Sequence, residues 1–245
     1  MNTINIFDWD DNILFMPTKV YLEQWIYNGW FHREVSTEDF KFYRDKPMFR
    51  MTPDSFKDFK DNDKFTEEVQ IAINNYKSTG PSFNDFKGVL IEGKKFAIIT
   101  ARGHSRKTIM NGIMLLINEK FTELEINEMV DNVGDILSYL RNQYTYAVDS
   151  PDFKKEFFDN KDNNLKWGEY SNKTNLKKVI ALEEYIKIRT SEIGSDEKLK
   201  IFFSDDDINN IKVIHNYLKS FKISHSNASF IIYDTSTGAK KEITS

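Results

Sequence analysis

Six carboxylates fall in two tight groups along this chain. Asp8, Asp10 and Asp11 close the apolar run in "INIFDWDDNILF" (4–15), and Asp205, Asp206 and Asp207 close "LKIFFSDDD" (199–207). Like charges packed this closely repel one another and resist desolvation. They are tolerated when a cation or a phosphoryl group compensates them, or when they point into water. A third stretch, "KKFAIITARGHS" (94–105), runs through Phe96–Ile99 to Thr100, and its loop carries Arg102 and His104. Alone, each stretch also has a plain reading: a solvated acidic turn, an acidic helix N-terminus where Asp favours the macrodipole, or a structural threonine.

The elements that would position these residues follow from periodicity. Ile4, Ile6 and Phe7 read as a short strand ending at Asp8, and Phe96–Ile99 reads as a strand buried on both faces. Residues 199–203 and 228–234 read as two more strands, and 144–151 as extended chain. Helices are expected at 65–76, 105–118, 123–141, 174–190 and 207–221. Val20, Leu22, Trp25 and Ile26 predict a helix over 18–30, and Thr52 followed by Pro53 is a helix start signal. Residues 78–81, "STGP", break the chain, and 159–173 are polar and loop-like. Strands alternating with helices give an α/β fold with a Rossmann-like parallel sheet flanked by helices. In such sheets the ligand site lies beyond the carboxyl ends of the strands, where Asp8, Asp10, Thr100, Asp205 and Asp206 would all fall.

The ordered set resembles the haloacid dehalogenase-like superfamily of phosphohydrolases. "IFDWDDNIL" is similar to its first motif, "FAIIT" to its second and "IFFSDDDINNI" to its fourth. The order and spacing match from end to end. The resemblance implies a Mg²⁺-dependent phosphatase that acts on a small phosphomonoester through an aspartyl-phosphate. Asp8 would be the nucleophile, and Asp10 the acid and then the base. Mg²⁺ would sit on Asp8, the Asp10 backbone carbonyl, Asp205 and Asp206. Thr100 would hold a phosphoryl oxygen. The motif lysine is assigned to Lys177 in "TNLKKVIAL", with Lys178 and Lys173 as close competitors. Arg102 and His104 could contact the substrate phosphate. Asn12 stands where the family usually has Thr or Val, and Ser204 where it has an apolar residue or Gly.

The same resemblance divides the chain. Residues 1–14 and 94–245 would form the core, 15–93 a mainly helical cap, and 120–170 could form a second capping element. Trp25, Trp30 and Phe31 could line a substrate pocket. Two other functions remain open: a nucleotide or polynucleotide end phosphatase, and a non-catalytic structural or accessory protein on the same fold, for example of a phage.

Composition narrows the field. The formal net charge is −4 with acids and bases mixed, which lacks the basic footprint of a general nucleic-acid binder. There is no cysteine, so disulfides and thiolate metal sites are excluded and any metal needs oxygen or imidazole ligands. No apolar run reaches the roughly 18 residues a bilayer span needs, and the N-terminus lacks a basic and an apolar signal region. A cytoplasmic protein is the expectation. The wealth of Lys, Asn, Ile and Phe hints at a low-GC bacterium or its phage.

Overall fold

The computed structural model describes residues 2–75, 79–159, 165–171, 173–193 and 197–244. In chain order the elements are β1 (Asn2–Phe7), β2 (Val20–Ile26), β3 (Gly29–Val35), α1 (Thr37–Tyr43), β4 (Phe49–Met51), α2 (Asn62–Asn74), α3 (Phe83–Ile91), β5 (Phe96–Thr100), α4 (Arg106–Lys120), α5 (Glu123–Val133), α6 (Ile136–Arg141), β6 (Tyr144–Ala147), α7 (Pro151–Phe157), α8 (Trp167–Tyr170), α9 (Thr174–Ser191), β7 (Leu199–Asp205), α10 (Ile208–Ser224), β8 (Ala228–Asp234) and β9 (Lys241–Thr244).

Six strands form one sheet in the order β6-β5-β1-β7-β8-β9. The first five run parallel, and β9, which the sequence reading lacks, closes the edge antiparallel to β8. Strand β1 lies between β5 and β7, with Phe7 opposite both Ile98 and Ser204. That register brings Asp8 beside the end of β7. Alternation along the strands divides the core. Phe7, Phe96 and Ile98 pack under α2, α3 and α4 with Phe65, Phe86 and Ile113. Ile4, Ile6, Ala97 and Ile99 face the other way, toward Phe153, Leu182, Tyr185 and Ile211 of α7, α9 and α10. Apolar burial on both faces is why these strands read as unbroken hydrophobic runs.

The segment after β1 differs from its expected form. Residues 18–30 are not a helix: β2 and β3 form a hairpin and, with β4, a three-stranded antiparallel sheet. Tyr27 and Asn28 make the two-residue turn with φ of 46° and 69°, the left-handed pair that suits a hairpin ahead of Gly29. Val20 and Leu22 bury while Tyr21 and Glu23, each the next residue along, do not, a period of two. Thr52 starts no α-helix either. Its amide donates to Ser55 Oγ at 2.8 Å, and the chain turns into one 3₁₀ turn, Lys57–Lys60.

Among the described residues, 20–59 gather around a small cluster of their own, Val20, Leu22, Val35, Phe49 and Phe59. Helices α2 and α3 belong to the main core, so the expected helical cap over 15–93 is instead a small sheet with one short helix, α1. Residue 76 of the expected 65–76 helix and Ser78 of the "STGP" break lie outside the described residues. The expected second capping element at 120–170 also dissolves into the core: β6 pairs with β5, and Phe153 and Phe157 are buried. Residues 160–164 and 172 of the expected 159–173 loop lie outside the described residues. The expected 123–141 helix breaks at Gly134, whose φ is 74°. No helix among the described residues is long and apolar enough to cross a membrane.

Candidate active site

The chain leaves β1 through a tight loop. Ile13 and Leu14 amides donate to Trp9 O at 3.0 and 3.3 Å, and Asp11 takes φ 52°, a region that Asp tolerates. Asn12 staples the strand ends beneath it. Its Nδ2 donates to Asp8 O and to Ser204 Oγ, each at 2.9 Å, and its Oδ1 accepts from Thr235 Oγ1 at 3.0 Å. Gly80 approaches the same residue so closely that a Cβ would lie 2.3 Å from Asn12 O. Asn12 is fully buried, so Asn12→Val strands polar groups at the ends of β1, β7 and β8. We expect a loss of about 3 kcal/mol, three hydrogen bonds at about 1 kcal/mol each. Urea unfolding with an unchanged m-value checks it.

Asp8, Asp205 and Asp206 are buried, and each offers an oxygen within 4.8 Å of the other two. Lys178, from α9, reaches between the strands. Its Nζ lies 2.7 Å from Asp205 Oδ2 and 2.9 Å from Asp8 Oδ1. The other oxygen of Asp205 accepts the Asp207 amide at 2.9 Å and Asn210 Nδ2 at 3.0 Å, which fixes its orientation. Asp8 Oδ1 receives no well-angled hydrogen bond although it is buried. Burial pushes the Asp8 carboxyl up to about 7; Lys178 opposes the shift, and the charges of Asp205 and Asp10 add to it. Burial works against the Lys178 charge, but Asp205 and Asp8 outweigh it and hold that lysine above its ordinary value. Three hard oxygen donors and an orphaned lone pair fit a divalent cation, which would stabilise the carboxylate form.

The remaining expected residues divide. Lys177 does not enter the cluster. Its ammonium pairs with Asp149, donates to Ser171 O at 3.0 Å and lies over the Trp167 ring, so Lys178 holds the place assigned to it. Two adjacent residues on a helix point about 100° apart, and the sequence carries no sign of which faces inward. Thr100 is buried, with Oγ1 accepting the Arg102 amide at 3.4 Å. Asp10 lines the cavity, yet its carboxylate is turned to Arg102. Arg102 and His104 line no part of it, which corrects their expected place on the substrate. His104 Nε2 is 2.9 Å from Asp61 O and its ring lies 4.8 Å from that of Phe65. Burial and the nearby Arg102 charge lower it to about 4, so it stays neutral and structural at ordinary pH.

A cavity of about 190 Å³ opens over the acids. Asp8, Asp206 and Lys178 form its floor, Ala101 and Gly103 one side, and Phe40, Phe56 and Phe59 of the small subdomain an apolar wall. Trp25, Trp30 and Phe31 are not part of it; the two indoles pack against each other at 5.3 Å on the far hairpin. Two residues that the sequence reading missed close the rim. Lys41 pairs with Asp206 and lies 3.4 Å from Asp11, and Arg44 grips Asp207 at 2.6 and 3.2 Å. Lys41 lies in the last turn of α1 and Arg44 is its C-cap, so the subdomain reaches the acidic end of the sheet through charge. Their i, i+3 spacing was the only available signal, and it is common on any solvated helix.

No family model, curated protein or solved structure matches the chain.

Proposed function

We propose that the protein is a Mg²⁺-dependent phosphohydrolase of the haloacid dehalogenase-like kind, acting on a small phosphomonoester. One observation carries the reading: Asp8 ends the central strand at the floor of a cavity, within reach of Asp205, Asp206 and Lys178. A carboxylate so placed can attack phosphorus. In the first step the Asp8–phosphorus bond forms, the ester P–O bond breaks, and Asp10 gives its proton to the departing oxygen. In the second, water attacks the aspartyl-phosphate and returns a proton to Asp10, releasing phosphate. Lys178 neutralises charge on Asp8 and on the phosphoryl oxygens. Asp8, Asp205 and Asp206 would hold Mg²⁺, which supplies further positive charge where the phosphoryl group is anchored. Phe40, Phe56 and Phe59 exclude water from the reacting end.

The test pairs turnover with a readout that needs none. Hydrolysis of 4-nitrophenyl phosphate should require Mg²⁺, stop with EDTA and return on adding the metal. Mg²⁺ alone should raise Tm, and more at pH 8 than at pH 5. Asp8 is raised from 3.8 to about 7 on folding, so the metal-free fold holds a proton that the unfolded chain releases between those values. Its stability therefore falls as pH rises through that window, and a bound cation removes the deficit. Absence of both effects, with the protein folded, refutes the reading and favours a structural role.

A further inference from the structure

We infer that Arg102 is a positioning residue: it aims the Asp10 carboxylate at the leaving-group oxygen, and Thr18 and Glu68 hold it in place. This rests on the phosphohydrolase reading above. The Arg102 side chain has no solvent exposure. Its Nε donates to Asp10 Oδ2 at 2.9 Å and its Nη2 to Oδ1 at 2.5 Å, a side-on fork that fixes both carboxylate oxygens. Nη2 also donates to Thr18 Oγ1 at 2.7 Å, and that hydroxyl donates to Glu68 Oε2 at 2.5 Å. The guanidinium carbon lies over the rings of Phe59 and Phe65, 5.0 and 4.9 Å from their centroids. Its backbone amide is tied to Thr100.

Asp10 faces the cavity, whereas Arg102 stands off it, with Nε and Nη2 engaged and Nη1 buried without a hydrogen-bond partner. It cannot serve as a proton donor, because a guanidinium stays protonated. What it can do is remove rotational freedom. Asp10 sits in a loop that reverses at Asp11, and without the fork its carboxylate would be free to turn. Oδ1 accepts from both Nε and Nη2, but Oδ2 accepts only from Nε, and a carboxylate oxygen has two lone-pair sites, so Oδ2 keeps one to carry the catalytic proton while the fork holds. A lysine offers one point contact and cannot define a plane.

The distinguishing readout is leaving-group dependence of kcat/KM, which reports the step that breaks the ester bond. A nitrophenolate departs without a proton; an alkoxide needs one. In Arg102→Lys we expect kcat/KM for 2-phenylethyl phosphate to fall about 10²-fold and for 4-nitrophenyl phosphate less than about 5-fold, because only the first draws on general acid catalysis. Thr18→Val, which leaves the Asp10 and Arg102 charges in place, should show the same selectivity at about 10-fold and decides the matter if Arg102→Lys fails to fold. In an Asp10→Asn background, Arg102→Lys should add little, since both act on one step. Equal losses on the two esters, or additive losses with Asp10→Asn, overturn the role of Arg102 alone. No turnover of either ester by the unaltered protein overturns the phosphohydrolase reading and this role with it.

Discussion

Asp8→Asn should abolish turnover, by more than about 10⁴-fold in kcat, while the protein becomes no less stable. The amide keeps the shape of the side chain but cannot form the covalent intermediate, and loss of a nucleophile is among the largest single-residue effects in catalysis. Stability should move the other way. The Asp8 carboxylate is buried beside Asp205 and resists ionisation until about pH 7, so a neutral isostere removes a cost that the metal-free fold carries at higher pH. At pH 8 without Mg²⁺, Tm should rise relative to the unaltered protein, and the stabilisation by Mg²⁺ should shrink because a ligand is gone. Activity assays and thermal melts on the same preparations separate a missing nucleophile from a damaged fold. Near-normal turnover in this variant would remove Asp8 from the chemistry.

The second large effect contrasts two neighbours. Lys178→Met should cut kcat about 10³-fold, the range for losing one preorganised charge at a developing anion. It also leaves Asp8 and Asp205 facing each other without their shared cation, and breaking a buried pair on one side costs about 3–5 kcal/mol. Mg²⁺ should restore part of that stability and none of the full rate. Lys177→Met removes a pairing with Asp149 at the cavity's edge, and we expect kcat within about 10-fold of normal. Reversed magnitudes would return the motif role to Lys177 and contradict the geometry of α9.

The strands that end in the acids were legible because burial on both faces writes a continuous apolar run, and the residues after such runs mark the functional edge of a parallel sheet. The hairpin was not, because Val20, Leu22, Trp25 and Ile26 satisfy a helical stripe as well as a strand alternation over so short a stretch. The signal that decides it is local: Asn28, which tolerates the left-handed φ of the turn it shares with Tyr27, just ahead of Gly29. The choice between Lys177 and Lys178 depends on helix phase, which α9 takes from how Leu182 and Tyr185 pack. Arg102 and His104 sit in a loop whose composition suggests contact with a ligand, yet both turn inward to Asp10 and Asp61. Lys41 and Arg44 find partners more than 160 residues away, a relation that no local pattern encodes.

Lys41 of α1 and Arg44, which caps that helix, also enter the charge balance around the six acids. Asp8, Asp10, Asp11, Asp205, Asp206 and Asp207 are faced by Lys41, Arg44, Arg102 and Lys178, which leaves two negative charges when all are ionised. One divalent ion brings that sum to zero, and a monovalent ion does not. Half of the neutralising side chains belong to the small subdomain, so without Lys41 and Arg44 the deficit of these ten groups would double from two charges to four. A divalent ion bound at Asp206 would compete with Lys41 for that carboxylate, and each would weaken the other in equal measure.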